Sequence, residues 1–220
     1  MKDHPEVRVN PGFPFEDSGL DLCGPFYLRC RGGRATVKRW VALFACLWSR
    51  AIHVEVVENM STEAILNAIS RFFSRRVALR SLWSDQGSNL VGAAAVLQIA
   101  LKECAHKSTS FLRKRGLTWV FGPARAPQWG GAYERLIGLF KKSLKGVIDG
   151  ISLSLDAFHT YVVAAEFMVN SRPLMPVPTD RRDLEALSPL SFLCPGVLAI
   201  SAAEILPPTY GRKIPSLCLT

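Results

Sequence analysis

Residues 36–76, TVKRWVALFACLWSRAIHVEVVENMSTEAILNAISRFFSRR, decide the fold because their apolar pattern changes period part-way through. Residues 36–48 and 51–58 are rich in β-branched and aromatic side chains, and this predicts the two strands of a hairpin. Over 61–76 the apolar side chains recur at helical spacing behind two hydroxyl residues that can cap a helix. A hairpin followed directly by an amphipathic helix indicates a sheet covered by helices.

Strand and helix signals alternate over most of the remaining chain. Further strands are predicted over 18–28, 79–84 and 117–122, and further helices over 90–105, 132–148 and 154–170. A Pro/Gly-rich loop is predicted over 124–131. This order predicts an α/β domain over 15–173, with a mixed five-stranded sheet flanked by helices. Residues 1–14 are expected to be a linker or fragment start, and 174–220 an irregular extension with no assigned function.

The composition favours an anionic partner. The chain has 27 Lys and Arg against 18 Asp and Glu, a formal net charge of +9. Ten of these basic residues and only two acids lie in 102–148, so one segment carries most of the excess. Nucleic acid is the commonest partner for such a segment. The longest apolar runs are too short to cross a bilayer, so no membrane partner is expected.

The cysteines and histidines give no sign of a zinc site. None of the six cysteines has C-x-x-C spacing, and the four histidines are scattered. We interpret the cysteines as reduced, mostly buried thiols of an intracellular protein. Cys23 is interpreted as small packing and His53 as a structural or surface histidine rather than a general base.

Three acids stand at positions that are unusual for an acid. Asp21 interrupts an apolar strand, Asp85 follows a strand at a tight turn, and Glu134 follows a glycine loop in the expected first turn of a helix. Ordinary roles exist for Asp85 as a turn residue and for Glu134 at a helix start. An acid on a buried strand needs a partner or a metal, which makes Asp21 harder to explain structurally.

The helix that carries Glu134 has two distinct faces. At 100° per residue, Gly138, Lys141 and Lys145 fall on the Glu134 side, and the apolar residues fall on the opposite side. An ordinary solvated face explains this pattern about as well as a functional one. In the functional interpretation, the acid holds a metal and the lysines bind phosphates along the same groove. Two or three such carboxylates suffice for Mg²⁺, which activates oxygen atoms in phosphoryl transfer.

Four motifs in this order resemble a known family, namely GLDLCGP (19–25), SDQGSN (84–89), PQWGGAYERLIGLFKKSLK (127–145) and NSRPL (170–174). Together they resemble the integrase catalytic core of retroviruses and LTR retrotransposons, and are most similar to the Bel/Pao group of retrotransposons. The 48 residues between Asp85 and Glu134 fit the Bel/Pao type, with the extra residues at about 103–116.

The resemblance implies a ribonuclease H-like fold and a metal-dependent polynucleotidyl transferase. It implies 3′-end processing of element DNA and strand transfer into target DNA, with two Mg²⁺ ions that Mn²⁺ can replace. Asp21 would bridge the two ions, while Asp85 and Glu134 would each hold one. It also implies DNA-binding roles for five residues, Asn89, Gln128, Trp129, Lys141 and Lys145, of which Gln128 and Trp129 would lie in a flexible active-site loop. A homo-oligomer is expected, in the nucleus after an earlier stage in cytoplasmic element particles.

The chain departs from the family in ways that leave other functions open. Gln86 stands where the family usually has Asn, and neither the amino-terminal zinc-binding domain nor a carboxyl-terminal DNA-binding domain is recognisable. The chain is therefore expected to be a core fragment or a truncated element copy. One alternative is a catalytically silent or co-opted DNA-binding protein. Another is a ribonuclease H proper, although the glycine loop before Glu134 and the NSRP motif fit integrases better.

Overall fold

A computed structural model describes residues 12–29, 36–76, 79–96, 117–121, 127–148, 153–175 and 186–195, with the backbone alone for 127–133 and 147. The strands are β1 (Asp17–Arg29), β2 (Thr36–Cys46), β3 (Ile52–Val57), β4 (Ser81–Ser84) and β5 (Thr118–Phe121). The helices are α1 (Thr62–Arg75), α2 (88–96 of the described residues), α3 (Pro127–Ile148), α4 (Leu155–Asn170) and α5 (Pro189–Leu193).

The five strands form one mixed sheet in the order β3-β2-β1-β4-β5. β1 pairs antiparallel with β2, and β2 with β3, whereas β4 pairs parallel with both β1 and β5. Tight connections suit the antiparallel strands, and a crossover helix suits each parallel strand. The predicted α/β fold with a mixed five-stranded sheet is therefore confirmed.

Helices cover both faces of the sheet. α3 and α4 bury Phe140, Leu144 and Phe158 against one face, where they meet Cys23 of β1. α1 and α2 pack on the other face, where Phe72 of α1 joins a second apolar cluster. The alternation of side chains along a strand thus divides the core into two layers, and Asp21, two residues from Cys23, belongs to the α3 layer.

A bulge in β1 keeps its apolar residues on the α3 and α4 layer. Between Cys23 and Phe26 the strand advances three residues while its partner in β2 advances two, from Val41 to Arg39. The extra residue shifts the alternation of side chains by one position, so Phe26 points to the same face as Cys23 and packs in the same cluster. Gly24 in the bulge has φ +139°, and a Cβ there would lie 3.2 Å from Trp40 Cα. Only glycine fits such a backbone beside a neighbouring strand.

Two predicted helix starts are wrong, and the predicted irregular extension contains a short helix. α3 begins at Pro127 rather than at about residue 132, because a proline suits the first helical turn, where its missing N–H is not needed. α2 begins at residue 88, two residues before its predicted start, and residues 97–105 of the predicted helix lie outside the described residues. The extension after residue 173 is not wholly irregular, since it contains α5, whose Phe192 contacts Trp48 with 4.9 Å between ring centroids.

Other predictions agree with the described residues. Ser61 caps α1 by accepting a hydrogen bond from Ala64 N–H at 3.2 Å. Cys23 and Cys46 are buried free thiols, whereas Cys194 is exposed. Within the described part of the chain, none of the helices is long and apolar enough to cross a membrane.

Candidate active site

The pairing of β1 with β4 brings Asp21 and Asp85 together. The two strands run parallel, and Leu20 lies opposite Ser84 at the last pair of the register. Asp21 and Asp85 are the next residues along each strand. Since neighbouring strands lie about 4.8 Å apart, residues that follow a matched pair remain close in space. Asp21 and Asp85, which are 64 positions apart in the sequence, therefore lie side by side where β4 ends.

The turn after β4 fixes the Asp85 carboxylate. Asp85 Oδ1 accepts a hydrogen bond from Gly87 N–H at 3.2 Å, and Gly87 C=O accepts the bond from Val91 N–H at 2.9 Å in the first turn of α2. A Cβ on Gly87 would lie 2.9 Å from Asn89 Oδ1 and 3.3 Å from Asp85 Oδ1. The glycine therefore leaves room for both polar side chains at the start of the helix.

A buried contact between β4 and β5 holds the backbone of Asp85. Ser84 Oγ accepts a hydrogen bond from Trp119 Nε1 at 2.9 Å and donates one to the Asp85 carbonyl oxygen at 2.9 Å. Ser84 and Trp119 are 1% and 8% exposed, so water does not compete for these bonds. Trp119 belongs to the core on the predicted fifth strand, and its indole N–H has a positioning role that the sequence did not reveal.

Glu134 lies on the exposed side of α3, seven residues after the helix begins. Its expected place in the first turn is wrong, because the helix starts earlier, so a helix-start role no longer explains this acid. Glu134, Gly138 and Lys141 are all exposed, whereas Leu136 is buried, which confirms the two-faced pattern. A Cβ on Gly138 would meet no atom within 4 Å, so the surface beyond Glu134 is open.

The negative charges of Asp85 and Glu134 both act on the carboxylate of Asp21. Burial raises the pKa of Asp21, and the negative charges of Asp85 and Glu134 raise it further. A 2.6 Å hydrogen bond from Leu22 N–H to Asp21 Oδ1 and the positive charge of Lys141 oppose this rise in pKa. The raised pKa therefore reflects chiefly the burial of this carboxylate and, to a smaller extent, the like charges near it.

Lys141 is the cation of this site. It lies seven residues beyond Glu134, about two turns along the same face of α3. Its charge also acts on Cys23, although burial raises the pKa of that thiol to about 12. A thiol that stays protonated and 2% exposed is a packing residue, as the sequence predicts.

These residues suit a hard divalent cation by their chemistry. They offer carboxylate oxygens, which Mg²⁺ prefers, and a partly buried acid, Asp21, whose pKa is raised by burial and by its acidic neighbours. A cation between such groups relieves their repulsion. Within the described ranges, however, no three His, Cys, Asp or Glu side chains are grouped closely enough to form a preassembled metal site.

The other predicted site residues lie at different positions relative to Asp21 and Asp85. Asn89 is half-buried beside Gly87 in the first turn of α2, and Lys145 is exposed one turn beyond Lys141. The backbone of Gln128 and Trp129 lies in the first turn of α3, not in a flexible loop as the resemblance implies, and their side chains lie outside the described part. His53 is buried at the opposite edge of the sheet, so its predicted structural role is confirmed.

Comparisons by sequence do not identify a relative. No protein-family model matches the chain. No curated protein matches it either.

Solved retroviral integrases share the fold. A chain of the simian T-cell lymphotropic virus intasome, solved by cryoEM in complex with PP2A regulatory subunit B56 gamma, superposes with a TM-score of 0.55 at 12% identity. The match covers 86% of this chain and 58% of that one, so this chain spans little more than half of its length. The HTLV-2 integrase catalytic core domain, in complex with magnesium and in a trimeric form, gives a TM-score of 0.51 at 13% identity. That match covers 82% of this chain and 97% of the HTLV-2 core, and the shared fold is ribonuclease H-like.

Proposed function

We propose that this chain is a DNA integrase core, a metal-dependent polynucleotidyl transferase with the acids Asp21, Asp85 and Glu134. The observation that carries the proposal is electrostatic. Acids from β1, from the end of β4 and from α3 are far apart in sequence, yet Asp85 and Glu134 both raise the pKa of Asp21. A carboxylate whose pKa is raised by burial and by neighbouring acids is a candidate for a site of chemistry.

In this proposal the three acids hold divalent metal and the surrounding residues hold DNA. Two bound Mg²⁺ ions would supply activation of the attacking oxygen and stabilisation of the leaving oxygen. Lys141 and Lys145 would bind backbone phosphates on the open face of α3, and Asn89, Gln128 and Trp129 would contact the DNA end. The expected reactions are 3′-end processing by water and strand transfer by a DNA 3′-hydroxyl.

The solved neighbours support the wider setting of the proposal. One similar chain belongs to an intasome, and the other is an integrase core in complex with magnesium and in a trimeric form. By analogy we propose that this chain binds magnesium, acts on DNA and forms a homo-oligomer. The motifs that resemble the Bel/Pao group support an origin in that type of retrotransposon, and integration of element DNA would place the protein in the nucleus.

Reversal of strand transfer on a branched DNA substrate, known as disintegration, is the test. The purified chain is expected to cleave and rejoin the branch with Mn²⁺, and Asp85→Asn and Glu134→Gln are expected to lower the rate at least about 100-fold, as lost transition-state charge stabilisation does. Binding of Mn²⁺ gives a second readout that does not need turnover. It is measured as the rise in the melting temperature of the chain when Mn²⁺ is titrated in. A folded chain with neither activity nor metal binding would contradict the proposal.

A second candidate function is DNA binding without catalysis. The absence of a preassembled three-acid group among the described side chains favours it. This candidate predicts salt-dependent DNA binding that Asp85→Asn and Glu134→Gln leave unchanged or strengthen, together with no disintegration at any Mn²⁺ concentration.

A further inference from the structure

Two neighbouring cavities lie at the far end of the β1–β2 ribbon. Their volumes are about 540 and 770 Å³, and Arg39, Leu155 and His159 line both of them. The larger one reaches Arg29 at the end of β1, and the smaller one runs along β3 to α1. We call this whole surface the ribbon groove.

The α1 end of the ribbon groove has no excess of positive charge. Glu55 accepts a hydrogen bond from Arg71 Nε at 2.6 Å and one from Arg75 Nη1 at 3.0 Å. Glu55 is only 3% exposed, so it sits behind the two arginines and neutralises them. Glu58 and Glu63 add negative charge at the same end. An anion would gain little by binding here.

The β1–β2 end carries positive charge without acidic partners. Among the residues that the structure describes, neither Arg29 nor Arg39 has an ion-pair partner, and the Arg39 guanidinium donates only to the Lys38 carbonyl oxygen at 2.9 Å. Asp156 is the acid that lines this end, in the first turn of α4. Two such guanidinium groups in an open groove are suited to binding phosphate oxygens.

The ribbon also carries a cation beside an exposed aromatic ring. Lys38 pairs with Tyr27 across the strands, and its Nζ lies 5.9 Å from the centroid of the Tyr27 ring. Tyr27 is 64% exposed, unlike most aromatic side chains of this fold. A cation next to an exposed ring is common where proteins contact nucleic acid.

The groove is held in a fixed relation to the acids. Arg29 N–H donates to the Leu153 carbonyl oxygen at 3.0 Å, which joins the end of β1 to the residues just before α4. Arg29 lies eight residues beyond Asp21 on the same strand. At the rise of a strand this separation is roughly 25 Å. The same length of duplex DNA contains about seven base pairs.

We propose that the ribbon groove binds the phosphate backbone of duplex DNA through Arg29 and Arg39, about seven base pairs from the acid site at the estimated rise of the duplex. This inference rests on the proposed function, because it assigns a second contact to the DNA on which the acids act. Neither residue belongs to the four motifs that resemble integrases, so those motifs do not imply this contact.

The test is the salt dependence of DNA binding by the full chain. Fluorescence anisotropy with a labelled duplex of about 30 base pairs measures the slope of log K against log salt, and each lost phosphate contact lowers that slope by about 0.9. The double variant Arg29→Gln/Arg39→Gln is expected to lower the slope by about 1.8. Arg75→Gln is the matched control, because it removes a cation of the same groove that Glu55 already neutralises, and its slope is expected to be unchanged. Melting curves establish that each variant is folded.

The outcomes separate this inference from the proposed function. If the double variant keeps the wild-type salt slope while Lys141→Gln lowers it, DNA does not bind at the ribbon groove. The integrase proposal would then still stand. An equal loss of slope in Arg75→Gln would also overturn the inference, since general charge would then explain the effect. A wild-type chain that binds no duplex DNA would overturn both.

Discussion

The side-chain amide of Asn170, at the end of α4, forms two hydrogen bonds with the backbone of Ile52 on β3. Ile52 N–H donates to Asn170 Oδ1 and Asn170 Nδ2 donates to the Ile52 carbonyl oxygen, each at 2.8 Å. β3 is an edge strand, so the amide takes the place of a missing neighbouring strand. Glu166, one turn earlier, accepts Val54 N–H at 3.1 Å and extends this cover along the edge. The NSRP motif thereby gains a structural role.

Replacement of Asn170 should destabilise the whole fold. Asn170 is 3% exposed, so Asn170→Ala leaves a buried N–H and a buried carbonyl without partners. We expect a loss of about 2–3 kcal/mol in the free energy of unfolding, from the typical cost of two broken bonds and unsatisfied groups. That loss corresponds to a fall in melting temperature of roughly 5–10 °C. Asn67→Ala on the exposed side of α1 is the control, and an equal fall there would contradict the edge-closing role.

The buried imidazole of His53 should make the stability depend on pH. Its Nε2 lies 3.0 Å from Glu55 Oε1 and its Nδ1 lies 3.6 Å from Glu166 Oε1, so both ring nitrogens face carboxylates. Burial lowers the pKa of His53, but the two acids outweigh it and the pKa is raised overall. Arg71 and Arg75 of α1 pair with Glu55, and Arg76, directly after α1, lies 3.9 Å from Glu166 Oε1.

The sign of the pH effect follows from this raised pKa. The stabilisation by protonated His53 is complete below the unfolded pKa of about 6.5 and is lost as pH rises through the higher folded pKa. Burial would raise the pKa of Glu55, but the hydrogen bonds from His53 and Arg71 lower it overall. The stability that ionised Glu55 contributes is therefore lost only as the pH falls through this lowered pKa, below the pKa of an ordinary Glu. Urea unfolding at several pH values above 6.5 should show falling stability. His53→Gln should flatten this dependence, and His159→Gln, at an exposed position, should retain it.

Lys141 should contribute to DNA binding, whereas the neighbouring Lys142 should not. Lys141→Gln is expected to lower the salt slope of duplex binding by about 0.9, because it lies on the Glu134 face of α3 and close enough to Asp21 to affect its pKa. Lys142→Gln removes an equally exposed lysine that is rotated by 100° around the same helix. Equal slopes for the two variants would show that DNA does not lie along the Glu134 face.

Gly138 should trade stability against function. Because a Cβ there meets nothing within 4 Å, Gly138→Ala is expected to stabilise α3 by about 1 kcal/mol, the usual difference in helix propensity. The melting temperature should rise by roughly 2–4 °C. If DNA approaches the backbone between Glu134 and Lys141, the same variant should bind duplex more weakly and slow disintegration. A rise in stability with unchanged DNA affinity would place the DNA elsewhere.

The arrangement of the acids illustrates where the sequence was sufficient. Asp21 was recognisable because it interrupts a strand pattern, and Asp85 because it follows a strand at a tight turn. The stripe from Glu134 to Lys145 was recognisable because helical period is a local property. Period 2 and period 3.6 are written into neighbouring residues, so the strands, the helices and the two-faced α3 could be predicted. The start of α3 could not, because proline and glycine in PQWGG allow either a loop or a first helical turn.

Tertiary structure alone decided which distant groups meet. The register that sets Leu20 opposite Ser84 brings Asp85 to Asp21, and no local pattern encodes a parallel pairing across a crossover. The same holds for the Trp119 bond to Ser84 and for Asn170 at the β3 edge, because hydrogen bonds depend on neighbours in space. The sequence by itself determined the fold class and the candidate acids. Packing determined which of their neighbours hold them, since that choice is made by contacts between residues far apart in the chain, such as Ile52 and Asn170, which are 118 positions apart.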